Sequence, residues 1–329
     1  MKVVLCTGDS HTQGQGQDTF SDPLNGEWPV KSYNLMSGSG LGFKRLLDTN
    51  SYVNLVRKYI EEKTGSKEEQ VKVDFLKETK EITFDCRNYD MFLFTMAENI
   101  KETFVNIYTD GEFYRRICLY TDSPRWDDWS ARDIRIDCSG KNEIKFICEN
   151  GTIRFVDARR FKGSYAVVNC GIGSCDCKTF ADLTLNKLID DTTPYMFIAE
   201  AHTINDWLRG KNVEEYKKQL TDMLSTMIKN SEHTILLTVS PILGEKMRTG
   251  YDIYNTVDYY DNFITGSIEV GKYLKLPVAD AYTEFLEMFS GLNEEQIKDF
   301  MYCDVWHVNS KGHRVYADKI IEQISDLIQ

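Results

Sequence analysis

A serine and a histidine that can act together in catalysis lie near opposite ends of the sequence. Ser10 lies in the run Gly8-Asp9-Ser10-His11-Thr12-Gln13-Gly14, a turn that directly follows an apolar segment. His307 follows Asp304 by three residues, a spacing at which one tight turn brings a carboxylate to the ring Nδ1. A serine hydroxyl becomes a strong nucleophile when a histidine takes its proton and a carboxylate orients that histidine. The three residue types therefore predict nucleophilic catalysis by Ser10, with His307 as base.

The elements that must position these residues follow from the hydrophobic pattern. Five apolar segments rich in strand-forming residues predict a parallel sheet, and helical spacing appears in the amphipathic segment Val213 to Ile228 and in the terminal segment Tyr316 to Ile328. This alternation is typical of a three-layer α/β fold, whose sites lie at the carboxyl ends of the strands. The predicted strands are Lys2 to Thr7, Tyr165 to Asn169, Tyr195 to Glu200, His233 to Ser240 and Leu276 to Asp280.

The alternation stops between Lys67 and Lys162, where about eight short segments rich in β-branched and aromatic residues alternate with turn pairs such as Asn150-Gly151. This pattern predicts an inserted, jelly-roll-like β-sandwich domain over residues 67–162, with residues 1–66 and 163–329 forming one discontinuous α/β domain. The predicted strands are Val71 to Leu76, Glu81 to Cys86, Met91 to Met96, Thr103 to Thr109, Phe113 to Tyr120, Asp133 to Asp137, Glu143 to Cys148 and Thr152 to Asp157.

Composition excludes several classes of function. Thirty-nine basic and 51 acidic residues give a net charge of -12, which repels nucleic acids and anionic lipid surfaces. No apolar run approaches the ~20 residues of a membrane helix, and the first residues lack the pattern of a signal peptide, so we expect a cytoplasmic protein. Nine scattered cysteines favour reduced core residues, and the pair Cys175 and Cys177 lacks further ligands at zinc spacing.

Four segments, in this order along the chain, resemble the sequence blocks of the SGNH (GDSL-type) hydrolases. The first block, G-D-S-x-T-x-G, matches Gly8 to Gly14, and the second is similar to Asn169 to Ser174. The third block resembles Thr203 to Asp206, and the last is Asp304 to His307. The resemblance covers residues 1 to about 60 and 164–329, and it implies a flavodoxin-like α/β/α fold with a five-stranded parallel sheet.

The resemblance also implies the roles of five residues. Ser10 is the nucleophile, His307 is the base and Asp304 orients the base. The oxyanion hole is formed by the backbone N–H groups of Ser10 and Ser174 and by the side-chain amide of Asn205.

The chain departs from the family at two positions, where Ser174 and Thr203 replace the usual glycines. A serine keeps the backbone N–H that an oxyanion hole requires, whereas Thr203 is expected to change the turn that precedes Asn205. His11 stands at the family's variable position, so we expect it to line the pocket or to face solvent.

Architectural similarity to carbohydrate O-acetylesterases with an accessory β-sandwich implies hydrolysis of short acyl esters, chiefly acetyl esters, of a carbohydrate or other small substrate. No cofactor and no metal is expected, and the oligomeric state stays open. An acyltransferase using the same triad and a non-catalytic glycan-binding protein are the alternatives. A lipase or thioesterase is less favoured, because no amphipathic lid or membrane anchor is seen. The candidate substrate contacts are His202, Trp207, Trp126 and Trp129.

Overall fold

The computed structural model describes residues 1–14, 49–74, 77–98, 102–120, 131–191, 193–244, 258–301 and 306–329. Three of the predicted site residues, Asp304, Trp126 and Trp129, lie outside these ranges. Among the residues described, none of the helices has the length and apolar character needed to cross a bilayer.

The described ranges form strands β1 to β13 and α-helices α1 to α10, numbered in chain order. The strands are β1 (Lys2–Thr7), β2 (Lys67–Gln70), β3 (Glu81–Asp85), β4 (Met91–Glu98), β5 (Glu102–Thr109), β6 (Glu112–Tyr120), β7 (Ala131–Asp137), β8 (Glu143–Cys148), β9 (Ile153–Lys162), β10 (Tyr165–Asn169), β11 (Met196–Glu200), β12 (His233–Leu237) and β13 (Val278–Ala279). The helices are α1 (Ser10–Gln13), α2 (Tyr52–Thr64), α3 (Cys177–Phe180), α4 (Asn186–Asp191), α5 (Thr203–Leu208), α6 (Val213–Lys229), α7 (Tyr260–Tyr273), α8 (Ala281–Phe289), α9 (Glu294–Met301) and α10 (Ser310–Ile324).

A five-stranded parallel sheet forms the centre of the α/β part, in the order β10-β1-β11-β12-β13. Every residue of β10 and β11 is buried, which shows that both faces of the sheet are covered. Each of the five predicted segments contains one strand of this sheet, so the predicted parallel sheet is confirmed. The chain leaves β1 on one side for β10 and returns on the other side for β11, and such a reversal opens a ligand crevice at the carboxyl ends of the strands.

Amphipathic helices cover the sheet, as the sequence pattern predicts. α6 presents its apolar stripe to the core, and α7 packs beside it. α10 packs against α2 in the same way. The apolar stripe of α6 consists of Tyr216, Leu220, Met223, Leu224 and Met227.

Two four-stranded antiparallel sheets fill the segment between α2 and β10, in the orders β2-β9-β4-β7 and β3-β8-β5-β6. Their facing side chains form a second hydrophobic cluster, in which the rings of Phe84, Phe94, Phe146 and Phe155 lie with centroids 4.8 to 6.0 Å apart. Seven of the eight predicted short strands coincide with β3 to β9 within a few residues. That these sheets form a separately folding domain stays a prediction.

The predicted strand from Val71 to Leu76 is wrong over residues 71–74, because the strand lies earlier, at β2. β2 has the sequence Lys-Glu-Glu-Gln and shows no apolar alternation. Ion pairs with the neighbouring strand hold it in place. Glu68 Oε1 lies 2.8 Å from Arg159 Nη1, and Glu69 Oε2 lies 2.7 Å from Arg160 Nη2. A strand held by paired charges gives no hydrophobic signal in the sequence.

The antiparallel sheets share part of the core of the parallel sheet. Met91, Leu93 and Phe161 are buried in the same hydrophobic cluster as β1 and β10. The two ends of the segment meet, because Lys67 pairs with Lys162 in the ladder between β2 and β9. Apolar contact thus ties this segment to the α/β part.

Replacing Phe161 with alanine is expected to lower the free energy of unfolding by about 3–5 kcal/mol, the usual cost of removing a buried phenylalanine ring. Phe161 is 1% exposed and joins the two layers of the core. Phe113, which is 61% exposed, supplies the matched control Phe113→Ala, for which we expect a change of about 0.5 kcal/mol or less. Urea denaturation of both variants measures the difference. Equal destabilisation by the two substitutions would contradict the shared core.

Candidate active site

The nucleophile turn is a short helix with a cap at each end. β1 ends at Thr7, and α1 begins at Ser10. The Asp9 carboxylate caps α1 by accepting a hydrogen bond from the backbone N–H of His11, and Gly14 ends the helix in the left-handed region with φ 105°. The Gly-Asp-Ser-x-x-x-Gly spacing therefore encodes one capped helical turn, which presents Ser10 at the carboxyl end of β1.

Two glycines allow the close packing beneath this turn. A Cβ on Gly8 would lie 2.0 Å from Thr12 Oγ1 and 2.2 Å from Glu200 Oε2. A Cβ on Gly171 would lie 2.3 Å from the backbone nitrogen of Gln13. Gly171 belongs to the segment after β10, so the second sequence block packs directly on the helix of the nucleophile.

The structure brings Ser10 and His307 together across 297 residues of sequence. His307 Nε2 lies 2.8 Å from Ser10 Oγ, within hydrogen-bond distance. His307 precedes α10, whose N-cap Asn309 accepts hydrogen bonds from Lys311 and Gly312. An unprotonated Nε2 at this position can take the Ser10 proton as an attacking bond forms. The role predicted for Asp304 falls outside the described residues.

Asn205 reaches the same turn from the neighbouring strand. It lies in α5, directly after β11, and its Nδ2 donates a hydrogen bond of 2.6 Å to Asp9 Oδ2. A side-chain amide carries two N–H groups, so the bond to Asp9 fixes the amide and leaves the second N–H to donate elsewhere. This arrangement suits an oxyanion donor held by the residue next to the nucleophile.

The backbone at Ser174 has a conformation that favours glycine. Cys175 N donates to Ile172 O at 3.2 Å, and Ser174 adopts φ 59°, the left-handed conformation that a type II turn requires at its third residue. Ser174 is exposed, and its carbonyl accepts a hydrogen bond of 2.8 Å from Arg209. Its backbone N–H as an oxyanion donor stays a prediction.

Thr203 does not disturb the third block. It is the first residue of α5, where a helical conformation suits any L-residue, and its hydroxyl lies 3.3 Å from the hydroxyl of Tyr260. The left-handed residue is instead the N-cap His202, with φ 55°.

Two of the predicted substrate contacts do not fit the structure. His202 is fully buried, and its Nδ1 donates to the carbonyl of Cys175 at 2.9 Å, so it ties the second block to the third. Trp207 is also fully buried, and its Nε1 donates to the carbonyl of Asp258 at 2.9 Å. A ring without exposed surface cannot stack on a sugar, so Trp207 is a core residue. His202 was a candidate because it lies close to Asn205 in sequence, and Trp207 because sugar rings stack on exposed aromatic faces.

Trp306 was missed by the sequence reasoning, although it directly precedes His307. Its side chain is partly buried against the core, and its ring centroid lies 6.4 Å from that of His307. Position next to the base was the signal that could have identified it. Among the described residues, it is the tryptophan nearest the nucleophile and base.

Buried charges under the nucleophile turn were also missed. Asp9, His11 and Glu200 are buried, with possible ligand atoms within 4.8 Å of one another. His11 does not line a pocket or face solvent as predicted, since its Nδ1 lies 3.0 Å from Asp9 Oδ1 and its Nε2 lies 2.9 Å from the carbonyl oxygen of Trp306. Both ring nitrogens face acceptors, so the ring offers no lone pair to a cation.

The protonation of these groups follows from burial and from their neighbours. Burial lowers the pKa of His11, but the charges of Asp9 and Glu200 and the hydrogen bonds to Asp9 and to the Trp306 carbonyl together raise the pKa to about 9. Burial and the charge of Asp9 raise the pKa of Glu200 to about 7. Burial alone would raise the pKa of Asp9, yet His11 holds it well below its usual range. Near neutral pH the cluster therefore contains an imidazolium between carboxyl groups.

Stability should fall as the pH rises from about 5 to 9. His11 and Glu200 both have raised pKa values, so the folded state binds more protons than the unfolded state, and deprotonation favours unfolding. The stability contributed by Glu200 is lost as the pH rises from 4.5 to about 7. The stability contributed by His11 is lost as the pH rises from 6.5 to about 9. The His11 contribution is up to about 3 kcal/mol by linkage. Urea denaturation at several pH values measures it, and His11→Gln should flatten the upper part of the curve. Constant stability across this range would contradict the assignment.

Comparisons with known proteins place the fold. No family model matches the sequence, and no curated protein matches it at a significant level. A solved peptidoglycan O-acetylesterase matches with a TM-score of 0.54 and 10% identity, over 100% of this chain and 91% of that chain. An α/β-hydrolase enzyme from the metagenome of Lake Arreo, Spain, matches with a TM-score of 0.48 and 12% identity, over 100% of this chain and 97% of that chain. An acetylxylan esterase from Geobacillus stearothermophilus matches with a TM-score of 0.39 and 17% identity, over 49% of this chain and 73% of that chain. The first match shows that this chain shares the fold of that esterase.

Proposed function

We propose that this chain, which shares the fold of a peptidoglycan O-acetylesterase, is a serine esterase of the SGNH (GDSL-type) hydrolases that removes acetyl groups from a carbohydrate. The observation that carries the proposal is the 2.8 Å contact between Ser10 Oγ and His307 Nε2 at the carboxyl end of the parallel sheet. A nucleophile and a base in hydrogen-bond contact are the minimum for this chemistry.

The reaction begins when Ser10 Oγ attacks the ester carbonyl carbon while His307 Nε2 takes the hydroxyl proton. Negative charge then develops on the carbonyl oxygen, and the free N–H of Asn205 and the backbone N–H groups of Ser10 and Ser174 donate to it. The intermediate collapses, the bond to the sugar oxygen breaks, and that oxygen receives the proton from His307. Water then attacks the acetyl-Ser10 ester by the same route in reverse and releases acetate. Asp304 is assigned to orient His307.

Acetate is favoured as the acyl group, and a carbohydrate as the alcohol, on two grounds. The structure that matches with a TM-score of 0.54 is named for action on an O-acetylated glycan. Trp306, beside His307, supplies an aromatic side chain of the kind on which sugar rings stack. Trp126 and Trp129 remain further candidates for sugar contact.

A panel of acyl esters tests this function. We expect the rate of 4-nitrophenyl ester hydrolysis to fall steadily from acetate to octanoate, and we expect acetate release from acetylated oligosaccharides. The same reactions with an unacetylated glycan present distinguish hydrolysis from transfer. Acetyl groups appearing on the added glycan would indicate an acyltransferase, and a preference for octanoate would indicate a lipase. Glycan binding without turnover would indicate a binding protein.

A further inference from the structure

His11 occupies a position that sequence reasoning treated as variable, yet its side chain makes two directed contacts. The ring is 1% exposed and lies in α1 directly after Ser10. Its Nδ1 lies 3.0 Å from Asp9 Oδ1, and its Nε2 lies 2.9 Å from the carbonyl oxygen of Trp306. A carbonyl oxygen only accepts hydrogen bonds, so Nε2 must carry a proton. The ionised Asp9 likewise requires a proton on Nδ1.

Each partner of His11 is connected to another residue of the proposed active site. The second oxygen of Asp9 accepts the hydrogen bond from Asn205 Nδ2 at 2.6 Å. A peptide bond joins Trp306 to His307, and His307 Nε2 lies 2.8 Å from Ser10 Oγ. The contacts therefore form a closed ring that runs from Ser10 through Asp9, His11 and Trp306 to His307 and back to Ser10.

We propose that His11 is a positioning residue for the reaction proposed above: its doubly protonated ring holds the backbone of the base and, through Asp9, the amide of Asn205 in register with Ser10. The inference rests on the proposed esterase function. His11 is not a general base here, because both of its nitrogens are engaged as donors. Its contribution is to fix the distance between nucleophile and base, and misplacement by about 1 Å can lower a rate 100-fold.

The ring of His11 lies close to that of the base, with the two ring centroids 5.3 Å apart. The titratable groups that face this cluster are Asp9, Glu200, His202, His307, Tyr52 and Tyr316.

Two variants separate the hydrogen bond from the charge. His11→Phe keeps the ring shape and removes both donors, so we expect kcat to fall roughly 10- to 100-fold with KM changed little. His11→Gln is neutral but can still donate to the Trp306 carbonyl. It should recover part of kcat.

The control is His233→Gln, at the start of β12, for which we expect unchanged kcat and KM. A purely structural role for His11 would lower thermal stability in both His11 variants without a recovery of kcat in His11→Gln. If folded His11→Phe protein keeps the kcat of the parent, the inference is overturned.

A measurement on the unaltered protein keeps the test independent of variant folding. Nitrogen-15 NMR of the histidine rings at neutral pH should show both nitrogens of His11 protonated, and a neutral tautomer would overturn the inference. Failure of the esterase proposal has a different signature, because the parent protein would then neither hydrolyse acetyl esters nor react at Ser10 with a phosphonate probe. The NMR result decides the state of His11 in either case.

Discussion

Replacing Ser10 with alanine is expected to lower kcat for acetyl ester hydrolysis by roughly 10⁴- to 10⁶-fold, because no other group can form the acyl-enzyme. Ser10 is 6% exposed and leads α1, so loss of one hydroxyl leaves the capped turn and the packing beneath it in place. The residual rate reflects binding and the remaining oxyanion donors alone. Steady-state kinetics with 4-nitrophenyl acetate measures the change.

The control for this substitution is Ser290→Ala, since Ser290 is exposed after α8, away from the nucleophile turn. The control should keep the parent kcat. A fluorophosphonate probe should add its mass to the parent and to Ser290→Ala, but not to Ser10→Ala. Ordinary turnover by folded Ser10→Ala protein would remove Ser10 from the mechanism.

The elements around the nucleophile could be predicted because their determinants are local. An apolar strand, a glycine-flanked turn and an amphipathic helix each show a period in the sequence, and the observed β1, α1 and α6 follow that pattern. β2 could not be found in this way, because the partners of its charged side chains lie about ninety positions away in β9. Hydrophobic periodicity detects burial, and paired charges on a strand leave no such trace.

The candidate site shows the same limit at the level of single side chains. Ser10, Asn205 and His307 were selected from motif order, and the structure brings them together around Asp9. His202 was selected for its proximity to Asn205 in sequence and Trp207 as an aromatic residue that could stack on a sugar, and both side chains are buried. The side chain next to a strand end can face the crevice or the core, and only tertiary packing decides between them.

His11, in contrast, was not selected as a site residue, because it stands at the variable position of the first sequence block. Its partners are an aspartate two residues earlier and a carbonyl 295 residues further along the chain. A single sequence contains no sign of that second contact, because a backbone carbonyl is present at every residue. The role of such a histidine becomes visible only when the fold places an acceptor at its second nitrogen.

Asn205→Ala should lower kcat by about 100-fold or more, the usual cost of removing one oxyanion donor. The amide has one N–H on Asp9 Oδ2 at 2.6 Å, so its other N–H is held in a fixed direction before substrate binds. Such a donor acts most strongly when charge develops on the carbonyl oxygen, so KM should change little. Steady-state kinetics on acetyl esters separates the two constants.

A second substitution sharpens this prediction. Asn205→Asp keeps the size of the side chain but replaces both N–H groups by an oxygen that faces the Asp9 carboxylate, so we expect a larger loss of kcat than in Asn205→Ala. Asn186→Ala, at an exposed helical position in α4, is the matched control and should match the parent. A rise in KM with kcat unchanged would assign Asn205 to substrate binding in the ground state. Equal kcat in Asn205→Ala and the parent would remove it from the oxyanion hole, because a donor that acts on the transition state cannot be lost without slowing the chemical step.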